Sequence, residues 1–348
     1  MMNRFLIDYD NPDAGMGHSM GFINRGVKIA LRNQLQFAYA EEQLRKSSSS
    51  EWKWRLKQGL RALRGARRNE THNIGNDLNR MLNLAQRLPN RNGLEKRIQN
   101  GELRLINLPQ FEMHIPSNEQ DDDVVYQSVD RFIQSHPEPN TVFKLGNNRF
   151  GDYEYAATRN WFRDTYIKAR EADSFVLQYQ PDLINVAVHI RRGDLLPDRQ
   201  FSDLSHRMLP DRWYIEILNR VVAGVSKPLS IHIFSEGKNG LYQSEKGVHF
   251  SWSDFYAGTG HQVTEHIDSP FLDTVHHLLH ADIFVGSKSG MTHLAGMLGN
   301  QIKLVPTLWH SYRGAERLLE IPDSVENLDQ AEITQFLKAH PPGKKRTL

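Results

Sequence analysis

The chain has 348 residues, of which 39% are hydrophobic and 24% charged, with a net charge of only +2 and no cysteine. That length exceeds one ordinary hydrophobic core and fits two α/β domains, while the missing thiols exclude disulfides, thiolate nucleophiles and cysteine-based zinc sites. No apolar run approaches the ~20 residues that cross a bilayer, Phe5–Tyr9 is too short for a secretory leader and already carries Asp8, and the small net charge does not announce a nucleic-acid partner, so a cytoplasmic protein is expected.

In chain order, Phe5–Tyr9 reads as a strand, the glycine-rich stretch Asp10–Gly21 as a turn, and Phe22–Ala40 as an amphipathic helix. Residues 41–100, rich in Arg, Asn and Gln, look helical. Within them, residues 46–68 hold eight Lys/Arg against the single Glu51, and Trp52, Leu56, Leu60 and Leu63 recur at helical spacing. A basic amphipathic helix of this kind suits an anionic membrane surface; it equally suits a solvated helix packed on its own domain. Ser47–Ser50 reads as a short flexible lead-in. A strand at Leu103–Leu108, an acidic stretch around Asp121–Asp123, a helix at Tyr155–Ala172 and a link at Gln178–Leu183 come after it.

From there the alternation is clear. The segment INVAVHI is a near-continuous apolar run, as expected of a strand buried on both faces. A helix at Arg212–Ala223, a strand at Ser230–Phe234, a helix at Phe271–Ala281, a strand at Asp282–Gly286, a short helix at Thr292–Leu298 and a strand at Lys303–Pro306 come next. Strands alternating with helices predict a parallel sheet covered on both sides. Ligands of such sheets bind beyond the carboxyl ends of the strands, so the loops after each strand are where chemistry is sought.

Three of those loops carry it. The first, His189–Asp198, places Arg191 and Arg192 at a strand's carboxyl end, where planar guanidinium forks suit a diphosphate. Gly193 permits a tight turn, and Asp194 orients an arginine or caps the next segment of chain; an ordinary Arg–Asp ion pair at the sheet edge is the competing reading. The second, Phe234–Gly237, offers Glu236 as an acceptor for a base or ribose, although such turns also simply cap helices. The third, Gly286–Gly299, is a small-residue loop opening a helix, and the unpaired N–H groups and dipole of a helix start attract anions. Ser287, Ser289 and Thr292 add hydroxyls there, Gly290 permits close backbone approach, and Met291 is counted with them as donor-binding. Among His276, His277 and His280, one i, i+4 pair (His276 and His280) shares a helix face, but no third ligand is assigned and no Glu stands in a His-Glu-x-x-His arrangement, so no metal is expected. Neither a Walker loop nor a Gly-x-Ser-x-Gly elbow occurs.

Taken together, HIRRGDL after a strand, the FSEG strand end and ADIFVGSKSGMTHLAG resemble the three-block pattern of the fucosyltransferase superfamily, which includes the α1,2-, α1,6- and protein O-fucosyltransferases. The resemblance implies an α/β protein of the GT-B fold, two Rossmann-like domains facing a central cleft. It also implies GDP-fucose as donor, inversion at the anomeric carbon and no metal or other cofactor. His189, Arg191, Arg192 and Asp194 match the first block, with Arg191 the arginine used on the β-phosphate. Ser287 and Ser289 match positions near the same phosphate, and Asp273 lies one residue off the acidic position that reads guanine. Gly15, Gly17 and His18 match the glycine-rich first loop of these enzymes, which faces the cleft. The third block is also similar to the phosphate loop of heptosyltransferase-like GT-B enzymes, which use ADP-heptose, so the donor stays open between the two. A non-catalytic nucleotide-sugar or glycan-binding relative is the reading from outside enzymology.

The expected organisation is an acceptor-side domain over residues 1–175 with a basic helical insertion at about 46–100, a nucleotide-sugar domain over 176–335, and a tail over 336–348. The expected reaction is transfer of a sugar to a glycan or lipid-linked glycan. Asp198 and His18 are the candidate general bases, while Arg191 and the third loop stabilise the leaving diphosphate.

Overall fold

The computed structural model describes residues 3–8, 16–39, 74–109, 122–146, 151–171, 175–197, 202–324 and 330–342. The chain divides into two units, Met1–Asp173 and Ser174–Leu348. Each is an α/β structure built on an all-parallel sheet, the class the sequence leads one to expect.

The first unit runs β1 (Arg4–Ile7), α1 (Met16–Arg32), β2 (Gln36–Ala38), α2 (Ile74–Leu82), α3 (Leu84–Arg87), α4 (Arg91–Gln99), β3 (Arg104–Asn107), α5 (Asp122–Gln134), β4 (Thr141–Lys144) and α6 (Arg159–Arg170). Its four strands lie in the order β2-β1-β4-β3. Helix α1 starts at Met16, not at Phe22, and ends at Arg32 to make room for β2. Gly17 and Gly21, expected to form a loop, are instead helical, and a Cβ on Gly21 would lie 2.6 Å from Cε1 of Tyr153, so the missing side chain lets that segment approach. A Cβ on Gly151 would lie 2.6 Å from the carbonyl carbon of Gly21, and the Asp152 N–H donates to the Gly21 carbonyl at 2.9 Å.

Polar side chains on α1 then hold this segment. Arg25, fully buried, makes a two-pronged pair with Asp8 at 2.6 and 3.0 Å. Lys28 meets Asp152 at 2.5 Å and Glu154 at 3.1 Å, and the Tyr126 hydroxyl donates to the same Asp152 oxygen. The Asn24 amide donates to the carbonyls of Asp152 and Glu154. The basic segment 46–68 and the Asp121 end of the acidic stretch lie outside the described residues.

The second unit runs β5 (Ile184–Ile190), two 3₁₀ turns at Gly193–Leu195 and Ser202–Arg207, α7 (Asp211–Gly224), β6 (Leu229–Ser235), α8 (Trp252–Phe255), β7 (Gln262–Ile267), α9 (Phe271–His280), β8 (Ile283–Val285), α10 (Gly290–Leu298), β9 (Ile302–Pro306), β10 (Leu318–Ile321) and α11 (Gln330–Ala339). The six parallel strands take the order β10-β9-β8-β5-β6-β7. That is the doubly wound order, with its crossover direction reversing between β5 and β8. Every residue of β5 and β6 is buried, which is why these strands read as unbroken apolar runs.

Alternation splits their side chains between two layers. Val186, Val188, Ile190, Ile231 and Ile233 join Trp213, Ile217, Leu218 and Val221 of α7 and Ile333 and Leu337 of α11 in one core cluster. Each such side chain, removed from water, stabilises by about 1.5–3 kcal/mol. His189, His232 and Phe234, at the intervening positions, belong to the opposite layer, where α9 and α10 pack. Helix α11 runs through the boundary expected at residue 335, and its Leu337 is buried.

Candidate functional site

The carboxyl ends of β5, β6, β8 and β9 bring together most of the residues the sequence singles out. At the centre stands His189, buried near the end of β5. Its Nδ1 lies 3.1 Å from Thr292 Oγ1, 3.1 Å from Ser287 Oγ and 3.3 Å from Ser289 Oγ. Burial, and then the charge of Arg191, push the imidazole down to about 3, so it is neutral at physiological pH. Its role is therefore that of a hydrogen-bonding hub for the loop that opens α10, and no imidazolium charge is available to an anion.

The hydroxyls of that loop are engaged with one another. Ser289 caps α10, its Oγ accepting the Thr292 N–H at 3.0 Å, as a serine at a helix start does. The Ser287 N–H donates to Thr292 Oγ1 at 2.9 Å. Ser287, Ser289 and Thr292 are all buried, so the side chains expected to donate to a ligand instead shape the loop from within. Gly290 and Met291 form the first turn of α10, whose leading N–H groups have no intrahelical carbonyl to bond.

Two cations flank this helix start. Arg191, about a quarter exposed at its side chain, donates to Asp194 at 3.1 Å and to the Lys288 carbonyl at 3.5 Å, spanning the loops after β5 and β8. Lys288, which sequence reasoning passes over although it lies inside the quoted motif, pairs with Asp323 beyond β10. Asp194 thus pairs with Arg191, a contact common to the orienting role and to the ordinary ion pair that competes with it. Arg192 departs from expectation. Its side chain is fully buried and paired with Asp211 at 2.6 Å, which takes its guanidinium out of reach of a ligand at the loop surface.

Glu236 is exposed at the end of β6 and stands over the next loop. A Cβ built on Gly193 would fall 1.5 Å from its Oε2, a contact the exposed Glu236 side chain can yield, but Gly193 has φ +37°, which favours glycine there. Asp273 sits in the first turn of α9, the helix that follows β7 and packs against β5. Its carbonyl accepts from His277 Nδ1 at 2.6 Å while His277 Nε2 accepts the Gln178 N–H at 3.1 Å. With both ring nitrogens engaged, His277 is a structural histidine. Gly17 and His18 lie at the start of α1 in the first unit, while Gly15 and Asp198 fall outside the described residues.

The loop after β9 completes this edge and is not signalled in the sequence. His293 on α10 holds the Ser311 carbonyl at 2.8 Å, and burial lowers its ring to about 4. The neighbouring Trp309 ring is covered by Arg207, whose guanidinium carbon stands 4.6 Å from the ring centroid and joins the β5 and β9 loops. Only the approach of distant segments, which no local pattern displays, reveals it.

No protein-family model matches the chain, and no curated protein matches it. Among solved structures it is similar to POFUT1 in complex with GDP, at TM-score 0.44 and 10% identity over 93% of this chain and 98% of that one. It is also similar to POFUT1 in complex with GDP-fucose, at TM-score 0.41 and 10% identity over 86% and 95% of the two chains. A third similar structure is the E. coli heptosyltransferase WaaC with ADP, at TM-score 0.39 and 10% identity over 97% and 99%.

Proposed function

We propose that this chain is a glycosyltransferase whose second unit holds the diphosphate of a nucleotide sugar at the start of α10. The observation that carries the reading is Arg191, reaching from the end of β5 to the Lys288 carbonyl across the point where the sheet's crossovers reverse. A doubly wound sheet binds its ligands at that point. There a guanidinium fork, paired with Asp194, and Lys288, paired with Asp323, adjoin the start of α10, a setting that suits an anion. As the nucleoside diphosphate departs with growing negative charge, these fixed donors stabilise it. Ser287, Ser289, Thr292 and the neutral His189 keep the donors in place.

Fucose from GDP-fucose, transferred with inversion and without a metal to a glycan or lipid-linked glycan, is the reading favoured by the first sequence block. Asp198 and His18 are the candidate bases for the acceptor hydroxyl. Asp273 and Glu236 are the groups proposed to meet base and ribose. The third block, SKSGMTHLAG, favours a second reading with another nucleotide sugar, as in heptosyltransferases. Thermal shifts with GDP, UDP, ADP and CMP separate them: stabilisation by GDP supports the first, and stabilisation by ADP alone supports the second. Transfer or donor hydrolysis that survives Arg191→Ala at the wild-type rate would overturn the mechanism in either form.

A further inference from the structure

Two adjacent arginines leave β5, and the structure gives them opposite environments. Arg191 is partly exposed, whereas Arg192 has no exposed side-chain surface. A fully buried charge is costly unless its surroundings are closely matched to it, and an apolar residue of similar size commonly serves a core at least as well. The surroundings here meet the two terminal nitrogens of the guanidinium, while its buried Nε has no hydrogen-bond partner among the described residues. Arg192 Nη2 donates to Asp211 Oδ1 at 2.6 Å, and the Tyr242 hydroxyl donates to that same oxygen. The rings of Tyr214 and Tyr242 lie 5.9 and 5.8 Å from the guanidinium carbon. Glu245 accepts the Asp211 N–H at 3.1 Å, which fixes the start of α7.

The other prong has a different target. Arg192 Nη1 donates to the carbonyl of Arg191 at 2.9 Å. One rigid group therefore joins the start of α7 to the peptide that carries Arg191, immediately before Gly193 turns the chain at φ +37°. With that peptide held, the Arg191 side chain leaves toward Asp194 and the Lys288 carbonyl. Without the clamp, the segment would keep the Leu195 N–H on the Arg192 carbonyl and the Ser235 hydroxyl on the Ile190 carbonyl, but the Arg191 carbonyl would lose its tie to the start of α7.

We infer that Arg192, with Asp211, is a positioning residue that sets the direction of the Arg191 guanidinium toward a diphosphate, and that it does not itself touch the ligand. The inference rests on the reading of the α10 start as a diphosphate site. It is tested on the full chain with inorganic pyrophosphate as probe, binding being measured by calorimetry and folding by thermal melting. The variants are Arg191→Met, the pair Arg192→Met with Asp211→Asn, and all three changes together.

Removing Arg191 should weaken pyrophosphate by roughly tenfold or more. Removing the buried pair should weaken it to a similar degree, and the triple variant should bind no more weakly than Arg191→Met alone, because the pair acts only through Arg191. A pair variant that folds and binds as the wild type overturns the inference, and so does a further roughly tenfold loss in the triple variant. If the pair variant does not fold, Arg192→Lys keeps the charge beside Asp211 but loses the fork. Weakened binding at an unchanged melting temperature is expected of it, and wild-type binding overturns the inference. Failure of the wild type to bind pyrophosphate or any nucleotide overturns the diphosphate reading itself, an outcome distinct from the others.

Discussion

The two units bury charge for different purposes. In the first, α1 is fastened by Arg25 on Asp8 and by Lys28 on Asp152 and Glu154, beside the apolar residues it buries. Its strands are only three or four residues long. In the second, the long strands β5 and β6 supply an extensive apolar cluster, and the buried Arg192–Asp211 pair lies at the carboxyl end of β5, beside the loops proposed to hold a ligand. Charge in the first unit therefore holds elements together, while charge in the second directs a side chain.

The comparison breaks most easily at Arg25. Arg25→Ala leaves Asp8 buried without its main partner and should cost about 3–5 kcal/mol in a urea titration of the full chain. A cost below about 1 kcal/mol would show that the first unit does not depend on its ion pairs. On the other side, Arg191→Ala should leave the melting temperature unchanged and weaken GDP or ADP by about 1.5–3 kcal/mol in calorimetry, the range for a charged hydrogen bond. Should the melting temperature fall instead, Arg191 would be a structural residue like Arg25.

Acid should separate the units further. His189 and His232 are lowered to about 3, and His266 and His293 to about 4, burial being the first cause in each case. All four lie in the second unit. Since an unfolded histidine titrates near 6.5, these rings favour folding fully above that pH. Their contribution declines as pH falls from about 6.5 toward 3–4, because only the unfolded chain takes up the protons. Fluorescence of Trp213 and Trp252 against pH at fixed urea reads the loss, and a signal flat between pH 7 and 5 would contradict it. The smallest effect is expected at the helix cap: Ser289→Ala should cost about 1 kcal/mol and loosen the α10 start.

The second unit is the legible half. INVAVHI, SIHIF and the helix starts at Phe271 and near Thr292 announce themselves because each is buried on a consistent side and bounded by turn residues. Strands β2, β4, β7 and β10 are hidden for the opposite reason. They are short, or, like Gln262–Ile267, carry polar residues on a partly exposed edge strand. In the site, Arg191, Asp194 and the α10 loop are visible because one peptide segment holds each of them. The difference between Arg191 and Arg192 is not visible, since it depends on Asp211 and Tyr242, contributed by other elements. The inward turn of the serine hydroxyls likewise depends on His189, a strand away.

The order of the strands also constrains how the protein comes to have a site at all. β5 meets β6 over a single crossover through α7 but meets β8 only after some hundred residues, since Val186 pairs with Ile283. Closing so long a loop is slow and carries its entropic cost before any contact rewards it. Arg191 and Lys288 are thus brought into register by one of the most distant pairings in the unit. During synthesis the arginine emerges long before its partner loop, so competence for the ligand should appear only after β8 has docked, and ligand-induced protection would serve as a clock for the last stage of folding.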